Sequence, residues 1–322
     1  MSHAPQVLLS ILIPEYNWDS RQLVNDLLAQ LYLQYIAFEI ILADDASPAA
    51  GLYHNFLPTH DPNNNFRFIA LERNLGRATI RNFLAGTAQG KYLLFIDCDS
   101  ELPDENYISR YIQQVNTNPG AQAVSGGTIY SALPPEPGKI LRWTYGNARE
   151  AIPAEERSKS PYSRITLNNF LVLRSVMMAH PLDENIKGYG HEDTLFGYAL
   201  KNAGIRVVHI NNPVIHTGLE SAQAFLDKTR EGVMNFYRLS TQQGMGHESS
   251  LWKAFAWVSK FHLAALFRVV FKNAEPAINK NLCGPKPNIR LMDILKLGYM
   301  LNAHAANTGH RLPEVGLPES SA

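Results

Sequence analysis

A chain of 322 residues with 45% apolar content is long enough for one large α/β domain or two smaller ones, and too rich in core-forming side chains to be disordered as a whole. Its 29 basic and 29 acidic residues cancel, so no global field points to nucleic acid as a partner, and any basic surface must be local. Two cysteines, Cys98 and Cys283, make neither a metal-ligand nor a disulfide pattern and fit a reducing compartment, so a cytoplasmic protein is expected.

The first apolar run, Val7 to Ile13, follows no basic segment and is too short for a signal-peptide core or a membrane span, so it reads as a strand. It discharges into Pro14-Glu15-Tyr16-Asn17, after which Asp19 or Ser20 can cap a helix whose Leu23, Leu27, Leu28 and Leu31 share one face. A second strand, Phe38 to Leu42, runs into Asp44-Asp45-Ala46-Ser47-Pro48, again placing carboxylates at a strand's carboxyl end. A turn at Asp61-Pro62-Asn63-Asn64-Asn65 leads to a third strand, Phe66 to Leu71. A helix from Arg77 to Gln89 follows, with Ile80, Leu84 and Ala88 directed inward and Gly90 closing it. Next, Tyr92 to Ile96 gives five consecutive apolar residues, the pattern of a strand buried on both faces, and stops abruptly at Asp97-Cys98-Asp99. Strands alternating with helices imply parallel order, and right-handed crossovers place their carboxyl ends on one rim, where an open α/β sheet binds ligands. Two hard oxygen donors there suit Mg²⁺ or Mn²⁺ on a diphosphate. The structural alternative is that Asp97 caps the strand turn and Asp99 the helix begun by Pro103.

A helix from Pro103 to Val115 and a strand from Ala121 to Tyr130 continue the alternation, and residues 132–161 break it. That stretch, rich in Pro, Arg and aromatics, reads as a long loop. It is either a lid bringing Trp143, Tyr145 and Arg149 to a second substrate or a surface hairpin packed on its own aromatics. Leu167 to Leu173 is the next apolar segment. Past the glycine-spaced Lys187-Gly188-Tyr189-Gly190-His191, a helix starting at or near Glu192 puts Leu195, Phe196, Ala199 and Leu200 on one face and stops at Gly204. Glu192 and Asp193 thus stand at a helix amino terminus, either as electrostatic caps or, given the glycine approach, as functional acids. A strand from Ile205 to Ile210 precedes Pro213-Val214-Ile215-His216.

Taken together, Ser10-Ile11-Leu12-Ile13-Pro14-Glu15-Tyr16-Asn17, Ala43-Asp44-Asp45-Ala46-Ser47, Asn74-Leu75-Gly76-Arg77 with Arg81-Asn82, Asp97-Cys98-Asp99 and Gly190-His191-Glu192-Asp193 resemble glycosyltransferase family 2 over residues 7–218. The fold this resemblance implies is α/β, a GT-A type nucleotide-sugar-binding domain with a mostly parallel central sheet flanked by helices. It would occupy residues 1–220, with a helical extension over 221–301 and a flexible tail over 302–322. The activity implied is inverting, metal-dependent transfer of one sugar from a nucleoside diphosphate sugar, a UDP-sugar, to a hydroxyl acceptor in cell-surface glycan or polysaccharide synthesis. The same resemblance gives Pro14, Glu15 and Tyr16 to the nucleotide pocket and Asp45 or Asp44 to the uracil N–H, and it places Arg81 close to the nucleotide. It gives Asp97 to ribose or metal, Asp99 to a divalent Mn²⁺ or Mg²⁺, and His216 to an additional metal contact or a structural role. Asp193 is implied as the base that takes the acceptor hydroxyl's proton, with Glu192 in support.

Departures from the family pattern bear on the acceptor. Ala46 stands where many relatives have glycine, a slight restriction of the turn. Gly188-Tyr189-Gly190-His191 differs from the usual tryptophan-containing loop that lines the acceptor side, which makes Tyr189 and His191 acceptor-side candidates beside Trp143 and Tyr145. No Gln-X-X-Arg-Trp signature of processive synthases and no transmembrane channel is encoded, so single-sugar transfer is expected. Beyond residue 220, Lys253, Lys260, Arg268 and Lys272 fall within about a third of a helical wheel over Leu251 to Lys272, with Trp252, Phe255, Trp257, Phe261, Leu266 and Val270 on most of the remainder. Such a helix either lies on anionic lipid, giving peripheral membrane contact at the inner face and a lipid-linked acceptor, or docks on the catalytic domain with its basic stripe in water. Two rival functions are a non-catalytic sugar-nucleotide-binding scaffold and a nucleotidyltransferase. Retention of Asp193 and the Asp97–Asp99 pair speaks against the first, and the lack of any glycine in residues 14–20 against the second.

Overall fold

The computed structural model describes residues 7–48, 56–186 and 190–307. The chain divides into two compact units, the first made of the described residues of Met1–Pro134, Tyr145–Lys187 and Glu192–Leu219, the second of those of Pro135–Thr144, Gly188–His191 and Glu220–Ala322.

In the first unit, β1 (Leu9–Glu15), α1 (Arg21–Leu31), β2 (Phe38–Asp44), β3 (Phe66–Ala70), α2 (Arg77–Thr87) and β4 (Tyr92–Ile96) repeat the strand-then-helix order of the sequence. After the short β5 (Ser100–Glu101) come α3 (Tyr107–Thr117), β6 (Ala123–Ser125) and β7 (Thr128–Ile129). The stretch 132–161 is not a loop: it contains α4 (Ile140–Arg149) and α5 (Ala154–Ser158). Then follow β8 (Asn169–Leu173), α6 (Arg174–Ala179), α7 (Glu192–Asn202), β9 (Val207–His209) and β10 (Val214–His216). Seven strands form one sheet in the order β3-β2-β1-β4-β8-β6-β9, and β5-β10-β7 form a second. The first four strands are parallel. β8 runs antiparallel to both β4 and β6, because the chain enters it from the rim, not by a crossover from the opposite edge.

Period-two alternation explains why the strands are apolar on both sides. Ile11, Ile13, Leu94 and Ile96 pack with α1 and α3, whereas Leu12, Leu93 and Phe95 pack with α2, α6 and α7. Glu39, buried in β2, accepts from Ser10 Oγ at 2.6 Å, Gln89 N at 2.6 Å and Arg67 Nη2 at 3.1 Å, so its burial is compensated by three donors. Two sequence expectations change here. The strand expected over 121–130 breaks at Gly126-Gly127, where Gly127 takes φ +92° and the buried Arg157 guanidinium fills the space a side chain would need. α2 ends at Thr87 with Ala88 extended, and Gly90, instead of closing the helix, donates its N–H to Ser10 Oγ of β1 at 2.8 Å.

The second unit is helical: α8 (Ala222–Gln243), α9 (Ser250–Lys260), α10 (Ala264–Leu282) and α11 (Arg290–Asn307). Ser221 Oγ accepts from Ala224 N at 3.2 Å, and Gly244 ends α8 in the left-handed region, a complete set of start and stop signals. α11 packs on α8, α9 and α10 through Met292, Leu295, Tyr299 and Met300. It continues to Asn307, so Asn302 lies inside a helix and not at the head of a tail. The single helix expected over 251–272 is two helices, bent by 119° at residues 261–263.

Candidate active site

Where β1 and β2 end side by side, Glu15 pairs with Asp44 in the strand register. Glu15 is buried and accepts from Ser20 Oγ; burial pushes its carboxyl up to about 7, the serine opposing and the Asp44 charge reinforcing. Tyr16 is 49% exposed, an aromatic face open beside this end of the sheet. Pro14 is the last residue but one of β1. Both acids of the β2 loop are held by the backbone. Asp44 accepts from Ser47 N at 3.2 Å and from Ser47 Oγ, and Asp45 accepts from Leu75 N at 2.6 Å and Gly76 N at 3.0 Å. Asp45 thereby ties the two residues that lead into α2, Leu75 and its flanking Gly76, to the end of β2. Directly after these acids, Ala46 sits at φ +59°, so the alanine restricts this turn more than the sequence suggests.

α2 then presents Arg77 and Arg81, four residues apart on one face. Arg81, 3% exposed, pairs with Asp97 and donates Nη1 to Arg77 O at 3.0 Å. Arg77 pairs with Glu192 at the start of α7. Burial pulls the Glu192 carboxyl up, but Arg77 and Arg81 outweigh it and leave it below the ordinary range. Asp193 differs. Its Oδ1 is shielded from solvent with no hydrogen-bond partner, and its Oδ2 accepts only a long 3.4 Å bond from Leu167 N. Burial, then the adjacent Glu192 charge, push its carboxyl up to about 7 against the pull of Arg81 and Arg77. The antiparallel β8 is what brings Leu167 to this rim, since Asn169 pairs with Ile96 and Asn168 O accepts from Asp97 N at 3.3 Å.

Asp99 belongs to a second group on the same side. Antiparallel pairing of β5 with β10 sets His216 opposite Ser100, and His216 Nδ1 lies 3.4 Å from Asp99 Oδ1. Thr217 N and Oγ1 both donate to Asp99 O at 2.9 Å, and a Cβ on Gly218 would collide with the Asp99 carboxylate. Burial raises the Asp99 carboxyl, but the His216 hydrogen bond and charge, with Arg77, bring it below its ordinary value. Among the described residues no three His, Cys, Asp or Glu side chains converge as a ready metal cage. Asp99 and His216 nevertheless fit a divalent ion of the kind that takes one or two protein ligands and the rest from phosphate oxygens and water. Asp97 is engaged by Arg81.

The rim thus gathers Glu15, Asp44, Asp45, Arg81, Asp97, Asp99, Glu192, Asp193 and His216 within one unit. Of the acceptor-side candidates, Tyr145 belongs to this unit and Trp143 and His191 to the second. His191 packs in the second unit, its Nε2 2.9 Å from Gly232 O and its ring stacked on Phe236. Trp143 and Tyr145 lie half-buried on α4, and Arg149 is exposed at its end. Tyr189 lies outside the described residues. Arg77 was not singled out as a site residue in the sequence, although two arginines at i and i+4 opening a helix after a strand are a legible sign of an anion-facing surface.

The profile of Glycosyl transferase family 2 matches residues 10–170, half of the chain. Over 120 residues the chain is 31% identical to the poly-beta-1,6-N-acetyl-D-glucosamine synthase of Staphylococcus epidermidis, covering 37% of this chain and 28% of that one. Over 188 residues it is 26% identical to the teichoic acid poly(glycerol phosphate) polymerase of the same species, covering 56% and 24%. The chain therefore spans about a quarter of the length of these curated relatives. In fold it is similar to the mannosyltransferase PcManGT from Pyrobaculum calidifontis, solved in complex with GDP-Man and Mn²⁺, with a TM-score of 0.52 at 14% identity over 95% of this chain and 87% of that one.

Proposed function

The chain belongs to glycosyl transferase family 2 and is a glycosyltransferase, and on that premise we propose that it moves one sugar from a UDP-sugar to a hydroxyl acceptor in cell-surface glycan or wall-polymer synthesis, inverting the anomeric centre. The observation that carries the mechanism is Asp193. A carboxylate oxygen withdrawn from water, left without a partner and poised near 7 suits a general base at neutral pH. The acceptor oxygen would pass its proton to Asp193 Oδ1 while attacking the anomeric carbon from the face opposite the diphosphate. Glu192, held by Arg77, keeps its charge beside that base and raises its affinity for the proton. Asp99 and His216 would hold a divalent ion, whose bound charge would neutralise the leaving diphosphate. Asp45 or Asp44 would accept the uracil N–H; each already takes backbone donors, but a carboxylate offers about four lone-pair sites. Pro14, Glu15 and Tyr16 would line the nucleotide, the half-exposed Tyr16 ring offering a stacking face. Residues 1–220 are assigned the chemistry, and 221–301 a separate role.

The names of the two curated relatives, one a synthase of an N-acetylglucosamine polymer and the other a teichoic acid polymerase, support a glycan or wall-polymer acceptor. Mass-spectrometric screening of UDP- and GDP-sugars for Mn²⁺-dependent hydrolysis tests the donor, with turnover of a UDP-sugar expected and turnover of GDP-sugars alone overturning the uracil assignment. Calorimetry on Asp99→Ala should show Mn²⁺-dependent UDP binding lost and on His216→Ala reduced less; unchanged affinity in Asp99→Ala would reject the metal site.

A further inference from the structure

In the second unit, the elbow between α9 and α10 leaves large apolar side chains in water. Trp257, Phe261, Leu263, Leu266, Val269 and Val270 are each between 38% and 64% exposed. On α10 the inward face is already occupied by Phe271, Ile278 and Leu282, all buried. Leu266, Val269 and Val270 recur at i, i+3 and i+4 and form a second apolar stripe facing outward. A helix apolar on two faces is either core or meets a second apolar phase, and this one is not core.

The charge around the elbow has one sign. Between Ser249 and Ala274 the sequence contains no Asp or Glu but has Lys253, Lys260, Arg268 and Lys272, in a chain whose basic and acidic residues balance overall. Lys253, Lys260 and Lys272 are exposed, and Arg268 Nε donates to Asn302 Oδ1 at 3.0 Å. On α9, Lys253, Trp257, Lys260 and Phe261 follow one another at helical spacing on the exposed side, so the lysines flank the aromatics and do not form a separate basic stripe. Among the described residues no single helix is long and apolar enough to cross a membrane. The α9–α10 pair passes that test only when joined, and it is bent by 119°.

We propose that this elbow seats itself in the headgroup region of an anionic bilayer, with Trp257 and Phe261 at the acyl boundary, Leu266, Val269 and Val270 below it, and Lys253, Lys260 and Lys272 on acidic headgroups. The charge selects lipid over a second copy of the chain, because a symmetric self-contact would bring the same lysines against each other. The proposal is independent of the sugar chemistry and needs no donor or acceptor to be tested.

Flotation of the full chain with vesicles of phosphatidylcholine alone, or of phosphatidylcholine with phosphatidylglycerol, reads it directly. Partition into the anionic vesicles should exceed that into neutral ones by about fivefold per engaged lysine. The difference should collapse near 1 M salt, where the screening length is about 3 Å. Leu266→Glu with Val270→Glu should cut partition into either vesicle type at least tenfold. Both side chains stand in water, so circular dichroism and melting temperature should hold. Lys253→Gln with Lys260→Gln should lower the anionic arm alone and flatten its salt dependence. Anionic vesicles should also blue-shift the tryptophan emission, and Trp257→Phe should remove that shift. Equal partition into the two vesicle types, bound or unbound, overturns the proposal. So does light scattering that shows a dimer split by Leu266→Glu with Val270→Glu, which would assign the elbow to a self-contact.

Discussion

The strand rim of the first unit and the elbow of the second both invert the ordinary distribution of side chains, in opposite senses. On the rim charge is inside: Arg81 is 3% and Glu192 6% exposed, and each is met by an opposite charge from another element. On the elbow apolar surface is outside: Leu266 is 64% exposed and Val270 59%. Buried charge is tolerable when partners are built in, and Arg81 and Glu192 have theirs; Asp193 Oδ1 is a buried carboxylate oxygen without one, as Arg81 Nε is a donor without one. Exposed apolar surface is relieved only by something beyond the described residues. Places where local rules are broken without compensation are where a ligand or partner is to be sought, and the two regions differ in which kind of break they show.

The sharpest way to test the rim's uncompensated carboxylate oxygen is Asp193→Asn, which keeps shape but cannot take a proton at neutral pH. Turnover should fall about 10²- to 10⁴-fold, roughly 3 to 5 kcal/mol of barrier, with donor affinity little changed, as kinetics and calorimetry would show. Wild-type turnover should rise with pH through about 7 as Asp193 loses its proton. Stability should move the other way. A carboxyl whose proton is held more tightly when folded than unfolded makes the folded state the better proton binder between its two values, so stability falls as pH rises from about 4 to about 7. Asp193→Asn should therefore melt higher than the parent above pH 7, with the gap closing toward pH 4. A variant that melts lower at every pH would mean that Asp193 is satisfied after all, and would erase the contrast within the rim.

Arg81→Ala tests whether the rest of the rim is as complete as it looks. Removing a buried partner leaves Asp97 uncompensated at a cost of about 3 kcal/mol, measured by urea denaturation, the lower end of the usual range because Asp97 is 21% exposed. A loss below about 1 kcal/mol would place the rim's charges in effective contact with water. The smallest effect belongs to the turn after Asp44 and Asp45. Ala46→Gly relieves a left-handed φ of +59° but frees the unfolded chain, for a net gain of about 0.5 to 1 kcal/mol readable as a rise in melting temperature.

The parts of the rim that a sequence can show are those written in consecutive residues. Val7 to Ile13, Phe38 to Leu42 and Tyr92 to Ile96 announce β1, β2 and β4 because strands buried on both faces are unbroken apolar runs, and the acids at their ends follow in the next residues. Strand direction is not written that way: Leu167 to Leu173 is apolar whichever way it runs, and only the pairing of Asn169 with Ile96 shows that β8 is antiparallel and carries Leu167 to Asp193. The Arg77–Glu192 pair joins residues 115 apart, beyond any local pattern. In 140–149, prolines on either side and Gly146 within masked a helix that packing sustains. The break at 261–263 contains neither Gly nor Pro, so apolar spacing ran through it unbroken and suggested one helix where there are two.

The pairing of β5 with β10 fixes when the site can exist as well as where. Asp99 and His216 meet only through that ladder, and 117 residues separate them in the chain. At about 5 to 20 residues per second, a nascent chain carries β1 to β4 and the Asp99 carboxylate for on the order of ten seconds before His216 is made. Because non-local strand pairings form late, the meeting of Asp99 with His216 is a late step, and a chain stopped before Val214 keeps Asp99 without the group that stands beside it.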